Sequence, residues 1–92
     1  MLNDKLTGAI GSHLACILNE EREKRGLSLK VLARKAGIAR QTISYVEKEV
    51  QSPSLDTLLR ITAALGVDLA KIIARAQKRA LKNPAEKPPV KK

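Results

Sequence analysis

One glycine constrains this chain more than any other residue. Gly37 stands inside LKVLARKAGIARQTISYVEK, residues 29–48, where two short helical patterns meet. Glycine supplies the left-handed backbone that a tight turn between them requires. Leu32, Ala33, Ala36, Ile38, Ile43 and Val46 fall on the inner sides of the two helices. Lys30, Arg34, Lys35, Arg40, Gln41, Thr42, Ser44 and Tyr45 are left to face outward, and no acidic residue occurs from Lys24 to Val46. Such a surface suits an anion with hydrogen-bonding edges, and double-stranded DNA is the leading candidate.

The rest of the chain must supply a core without large aromatics. Apolar residues make up 43% of the 92, yet there is no Phe, no Trp and one Tyr. Leu, Ile, Val and Ala at helical spacing favour a small all-α bundle, and no run alternates apolar and polar residues as a strand would. The length suits one domain and leaves no room for a second, ligand-sensing one. The formal charge of +9 is held in two blocks: residues 24–46 carry +6 and residues 71–92 carry +7, while the two remaining stretches carry −2 each. Concentration of this kind suits a polyanionic partner.

Several classes are excluded. Cys16 is the only cysteine and His13 the only histidine, so neither an internal disulfide nor a Cys/His metal site is available. Cys16 reads as a small apolar residue on the first helix. There is no nucleophile–base pair, no paired carboxylates and no phosphate-binding glycine loop, so neither an enzyme nor a cofactor is expected. No segment is long and apolar enough to cross a membrane, and residues 1–20 lack a basic start followed by an apolar stretch. A cytoplasmic protein is expected.

Helix signals divide the chain. A first helix is expected over residues 12–25, with residues 1–11 an N-terminal extension that prolongs it if Gly8 and Gly11 are tolerated. Leu14, Ile17, Leu18 and the stem of Arg22 lie on one side of it, with Glu20, Glu21 and Glu23 mostly on the other. Ser28 is placed to cap a second helix ending at Ala36. A third, over residues 40–48, has only Ala39 at its cap. Ser54 caps a fourth, whose buried stripe is Leu55, Leu58, Leu59, Ile61, Thr62 and Leu65. A fifth follows Asp68 to about Leu81, with Leu69, Ile72, Ile73 and Ala76 inward. Residues 82–92, KNPAEKPPVKK, read as a disordered basic tail, so the folded domain is residues 12–81.

The stretch GLSLKVLARKAGIARQTISYVEKEVQSPSLDTLLRITAALGV, residues 26–67, resembles the phage-repressor-like (Cro/CI, or XRE) helix-turn-helix family of transcription regulators. Leu32-Ala33, Gly37, Ile43, Glu47, Pro53-Ser54-Leu55 and Ala64-Leu65-Gly66 carry the resemblance. It implies a compact five-helix bundle of the lambda-repressor-like DNA-binding type. It also implies an ion pair between Arg22, late in the first helix, and Glu47, ending the third. Two positions depart from the family pattern. Leu29 stands where a glutamine often opens the second helix, leaving its phosphate contact to Lys30 or Ser28. Glu49-Val50 replaces a frequent Asn-Gly pair.

Geometry and resemblance together assign the contacts. A helix with side chains is about 10–12 Å across, and the major groove is about 12 Å wide. Base contacts fall to Arg40, Gln41, Ser44 and Tyr45, with Ala39 able to touch a thymine methyl. Phosphate contacts fall to Ser28, Lys30, Thr42, Lys48, Gln51 and Ser52. The expected function is a sequence-specific repressor or autoregulator acting as a homodimer. The alternative is an antitoxin-like module that neutralises an acidic protein partner and also binds DNA.

Overall fold

Cap and stop residues cut the chain into five helices. These are α1 (Asp4–Lys24), α2 (Leu29–Ala36), α3 (Arg40–Glu47), α4 (Leu55–Leu65) and α5 (Leu69–Lys82). The structure is a computed structural model that describes residues 4–82, and no strand occurs among them. The expected all-α, five-helix architecture is what the chain adopts. The expected tail, beyond Lys82, lies outside the described residues, as do residues 1–3.

Ser28 and Ser54 each start a helix by accepting a hydrogen bond from a backbone N–H three residues on, at Val31 and Thr57, both at 3.1 Å. Gly37 ends α2 at φ 71°, and the Ile38 N–H turns back to the Ala33 carbonyl at 3.1 Å. This closure satisfies the last carbonyls of α2 and sets the angle at which α3 departs. One side chain from each helix or more meets in the centre: Ile17 and Leu18, Leu32 and Ala33, Ile43 and Val46, Leu58, Ile61 and Leu65, and Ile72 and Ala76. Each large aliphatic among them contributes about 1.5–3 kcal/mol on burial.

Helix α1 starts at Asp4, eight residues ahead of the expected start at residue 12. Gly8 and Gly11 each weaken a helix by up to about 1 kcal/mol. Burial of Ala9, Ser12 and His13 on the same helix offsets that cost. His13 has no hydrogen-bond partner at either ring nitrogen, although both are shielded from solvent.

Two sequence expectations about helix faces need correction. Glu20 and Glu21 do not form a solvated side of α1. Glu21 is buried and binds Arg25 at 2.6 Å and Arg75 of α5 at 3.2 Å, while Glu20 binds Arg79 of α5 at 3.2 Å. These pairs fasten α5 to α1. On α4, Leu55 and Leu59 are 65% and 49% exposed rather than part of the buried stripe. Leu58, Ile61, Thr62 and Leu65 suffice to cover the core from that side. Cys16 is half-buried, and its thiol donates to the Glu20 carboxylate at 3.2 Å.

Candidate nucleic-acid interface

Helix α3 projects because its inner face is taken. Ile43 and Val46 are buried, and Thr42 sits at the edge, half-buried. At about 100° per residue, Arg40, Ser44, Gln41 and Tyr45 then form one contiguous face about 140° wide on the other side. Arg40 and Gln41 are exposed; Ser44 and Tyr45 are half-buried. Gln41 Nε2 donates to the Tyr45 hydroxyl, so these two side chains are held together one turn apart. Tyr45 is thus less free than its expected outward position implied. Ala39 precedes the helix with no side-chain cap, exposed beside Arg40.

The other end of α3 is firmly held. Glu47 accepts from Arg22 Nε at 2.7 Å and Nη2 at 3.0 Å, and from Asn19 Nδ2 at 2.7 Å. The remaining Arg22 nitrogen, Nη1, donates to the Leu27 carbonyl at 2.7 Å. Only 13% of the Arg22 side chain and 8% of that of Glu47 are exposed, so the pair works in a poorly solvated setting. The hydrogen bond to Glu47, ahead of the opposing effect of burial, raises the Arg22 guanidinium above its ordinary value. Asn19 escaped the sequence reading. Its signal was present, since it precedes Arg22 by three residues and so shares a helix face with it.

The loop after α3 contains the second anchor. Glu49 takes a left-handed φ of 60°, the conformation that an Asn-Gly pair would adopt cheaply, and accepts from Ser12 Oγ at 2.5 Å. The acid that ends α3 and the one in the loop after it are therefore both tied back to α1. The face they leave behind carries exposed Lys30, Arg34, Lys35, Arg40 and Lys48, none with an ion-pair partner among the described residues.

The remaining candidate phosphate contacts border this face. Ser28 is exposed, its oxygen accepting at the start of α2. Lys30 is the second residue of that helix. Lys48 caps the end of α3, and Gln51 and Ser52 are exposed in the loop that leads to α4. Leu29 is half-buried and packs against the core, which accounts for an apolar residue at the opening of α2. Among the described residues, no group of three or more His, Cys, Asp and Glu side chains could hold a metal, and no helix is long and apolar enough to cross a membrane.

A bundle in which a short capped helix, a glycine turn and a projecting helix are packed by three other helices defines a class. The helix-turn-helix family model matches residues 18–72, from the middle of α1 into α5, and the chain belongs to that family. Similar proteins include an HTH-type transcriptional regulatory protein of Methanosarcina barkeri, 40% identical over 57 residues, which are 62% of this chain and 17% of that protein. An HTH-type transcriptional regulator of Methanothermobacter thermautotrophicus is 44% identical over 50 residues, 54% of this chain and 72% of that protein. The regulator SinR of Bacillus subtilis is 33% identical over 57 residues, 61% of this chain and 51% of SinR. The chain thus spans 17% of the length of the Methanosarcina relative and about half that of SinR.

Proposed function

We propose that the chain is a sequence-specific DNA-binding transcription regulator that inserts α3 into the major groove. The observation that carries this reading is the contiguous Arg40–Ser44–Gln41–Tyr45 face on a helix anchored through Glu47. A reading helix must hold its side chains in fixed register with the base edges, and the Glu47 cluster supplies that rigidity. Arg40 pairs with guanine O6 and N7, and Gln41, released from Tyr45, with adenine N6 and N7; each good pair discriminates by about 1–3 kcal/mol. Ser44, Tyr45 and the Ala39 methyl complete the base contacts. Ser28, Lys30, Thr42, Lys48, Gln51 and Ser52 bind phosphate and set the register.

The chemistry is binding rather than catalysis, on DNA in the cytoplasm. Two copies acting as a homodimer double the site, as small modules of this kind need for tight binding. Repression by occupying an operator follows from binding alone, and the names of the relatives as transcriptional regulators support a regulatory role.

Selection of bound sites from a random duplex library tests it. Enrichment of a short motif, often repeated with two-fold symmetry, is expected. Recovery of sequences no different from the starting pool would overturn it.

A further inference from the structure

Away from the α2–α3 face, unneutralised charge is concentrated on α5. That helix carries Lys71, Arg75, Lys78, Arg79 and Lys82 and no acidic residue. Arg75 and Arg79 are engaged by Glu21 and Glu20 of α1. Lys71, Lys78 and Lys82 are exposed, with no ion-pair partner among the described residues. Their spacing of seven and four residues places them within about 40° of one another around the helix, on a line about 16 Å long.

The position of this line matters as much as its charge. Ile72, Ala76 and Ala80 bury the opposite side of α5, which packs mainly along α1. Helix α1 in turn presents Ser12, Asn19 and Arg22 to the α3 end of the molecule. Glu20 and Glu21 meet α5 from a side of α1 distinct from the one that Ser12, Asn19 and Arg22 turn to Glu47 and Glu49, so the lysine line is separate from the reading face.

We propose that the Lys71–Lys78–Lys82 line is a second, sequence-independent binding surface for the phosphate backbone of duplex DNA, so that one molecule joins two duplex segments. Lysine ammonium groups act as point charges toward phosphate, whereas base recognition calls for planar, bidentate side chains. Helix α5 carries no aromatic residue, and its exposed Leu81 stands about 60–100° around the helix from the line, so the line itself lacks the apolar anchor that a protein-binding hot spot would require. Duplex DNA offers about one negative charge per 1.7 Å of axis, so a 16 Å row finds phosphates in any sequence. The chain continues with Lys87, Lys91 and Lys92 against a single Glu86.

The surface is independent of the reading helix, and the test separates them. Full-length protein is compared with a Lys71→Gln/Lys78→Gln/Lys82→Gln variant and an Arg40→Ala/Gln41→Ala variant, with circular dichroism to check folding. Binding to a duplex of random sequence is followed against salt, and a bead-bound selected duplex is used to capture a second, fluorescent duplex of unrelated sequence. With the selected duplex already seated on α3, the lysine variant should lose the contribution of about 3 that the line makes to the slope of log K against log salt for the second duplex. It should also lose at least tenfold of the captured duplex while keeping its selected site. The arginine–glutamine variant should lose the selected site and keep the random-duplex slope to within about 2.

Unchanged slope and capture in the lysine variant would overturn the proposal and give any bridging to paired reading helices. Displacement of the second duplex by polyglutamate as effectively as by free duplex, at matched charge, would also overturn it and assign the line to an acidic protein.

Discussion

Ser12 Oγ donates to Glu49 Oε1 across 2.5 Å, joining the middle of α1 to a residue whose φ is 60°. A non-glycine residue in that conformation costs about 1–2 kcal/mol, while a hydrogen bond to a charged group contributes about 1.5–3 kcal/mol. The contact therefore holds an unfavourable backbone in place. Glu49→Gly should be neutral or destabilising by up to about 2 kcal/mol in the wild type. In a Ser12→Ala background the same change should stabilise by about 1 kcal/mol, because only the backbone relief remains. Urea unfolding of the four proteins of this cycle checks the reversal of sign.

Glu47 and Arg40 should separate stability from recognition. Glu47→Ala leaves Arg22 and Asn19 without their shared acceptor and should cost about 3–5 kcal/mol. Arg40→Ala removes an exposed side chain with no partner among the described residues, and should shift the melting temperature by no more than a degree or two. Its cost of about 1–3 kcal/mol should appear only in binding to the selected duplex. Equal melting losses in the two variants would contradict the division.

Glu21 gives the fold an acid-sensitive joint. Its carboxyl is held below the ordinary value chiefly by the Arg25 hydrogen bond, against the opposing effect of burial, with Arg75 adding to the lowering. The unfolded chain then takes up a proton at this site at higher pH than the folded one. Stability from Glu21 is complete above the ordinary carboxylate value and is lost as pH falls through the folded one. Unfolding free energy followed from neutral to strongly acid pH should show this decline, and Glu21→Gln should flatten it.

His13 should be replaceable at a gain. Both ring nitrogens are shielded and unbonded, which costs about 1–3 kcal/mol of desolvation. His13→Leu, of similar volume, should raise the urea midpoint with an unchanged slope. A lowered midpoint would mean that the imidazole is better accommodated than its surroundings indicate.

Ala39 opens α3 without a side-chain cap, unlike Ser28 and Ser54 at the starts of α2 and α4, and Ala39→Ser should stabilise α3 by about 0.5–2 kcal/mol. The same change removes the methyl proposed to meet thymine. Selected sites should therefore change at that base position while melting temperature rises.

The turn at Gly37 and the buried positions around it were legible because each rests on local rules: capping by Ser28, the glycine φ and helical spacing of apolar residues. The fate of charged residues was not. Glu21 looks solvated by its position among Glu20, Glu21 and Glu23, and only the arrival of Arg75, 54 residues later, makes it a buried partner. Leu55 and Leu59 fit an apolar stripe by spacing, yet the core is filled without them. The start of α1 stayed open between residue 12 and an extension through Gly8 and Gly11, because glycine propensity is local and the packing that outweighs it is not. Within the candidate site, Asn19 and Ser12 were missed for the same reason: their partners, Glu47 and Glu49, lie 28 and 37 residues away.

Helix α3 is built as a cantilever. Its heel is clamped by Arg22 and Asn19 and, two residues past its end at Glu49, by Ser12, while its tip at Ala39 and Arg40 carries no side-chain brace. The Gly37 turn holds the backbone at that end, but the Arg40 side chain is the least braced of the reading face, so small misfits between protein and groove are absorbed where it sits. Tolerance to altered base pairs should therefore be graded along the helix, loosest at its tip and strictest toward Tyr45.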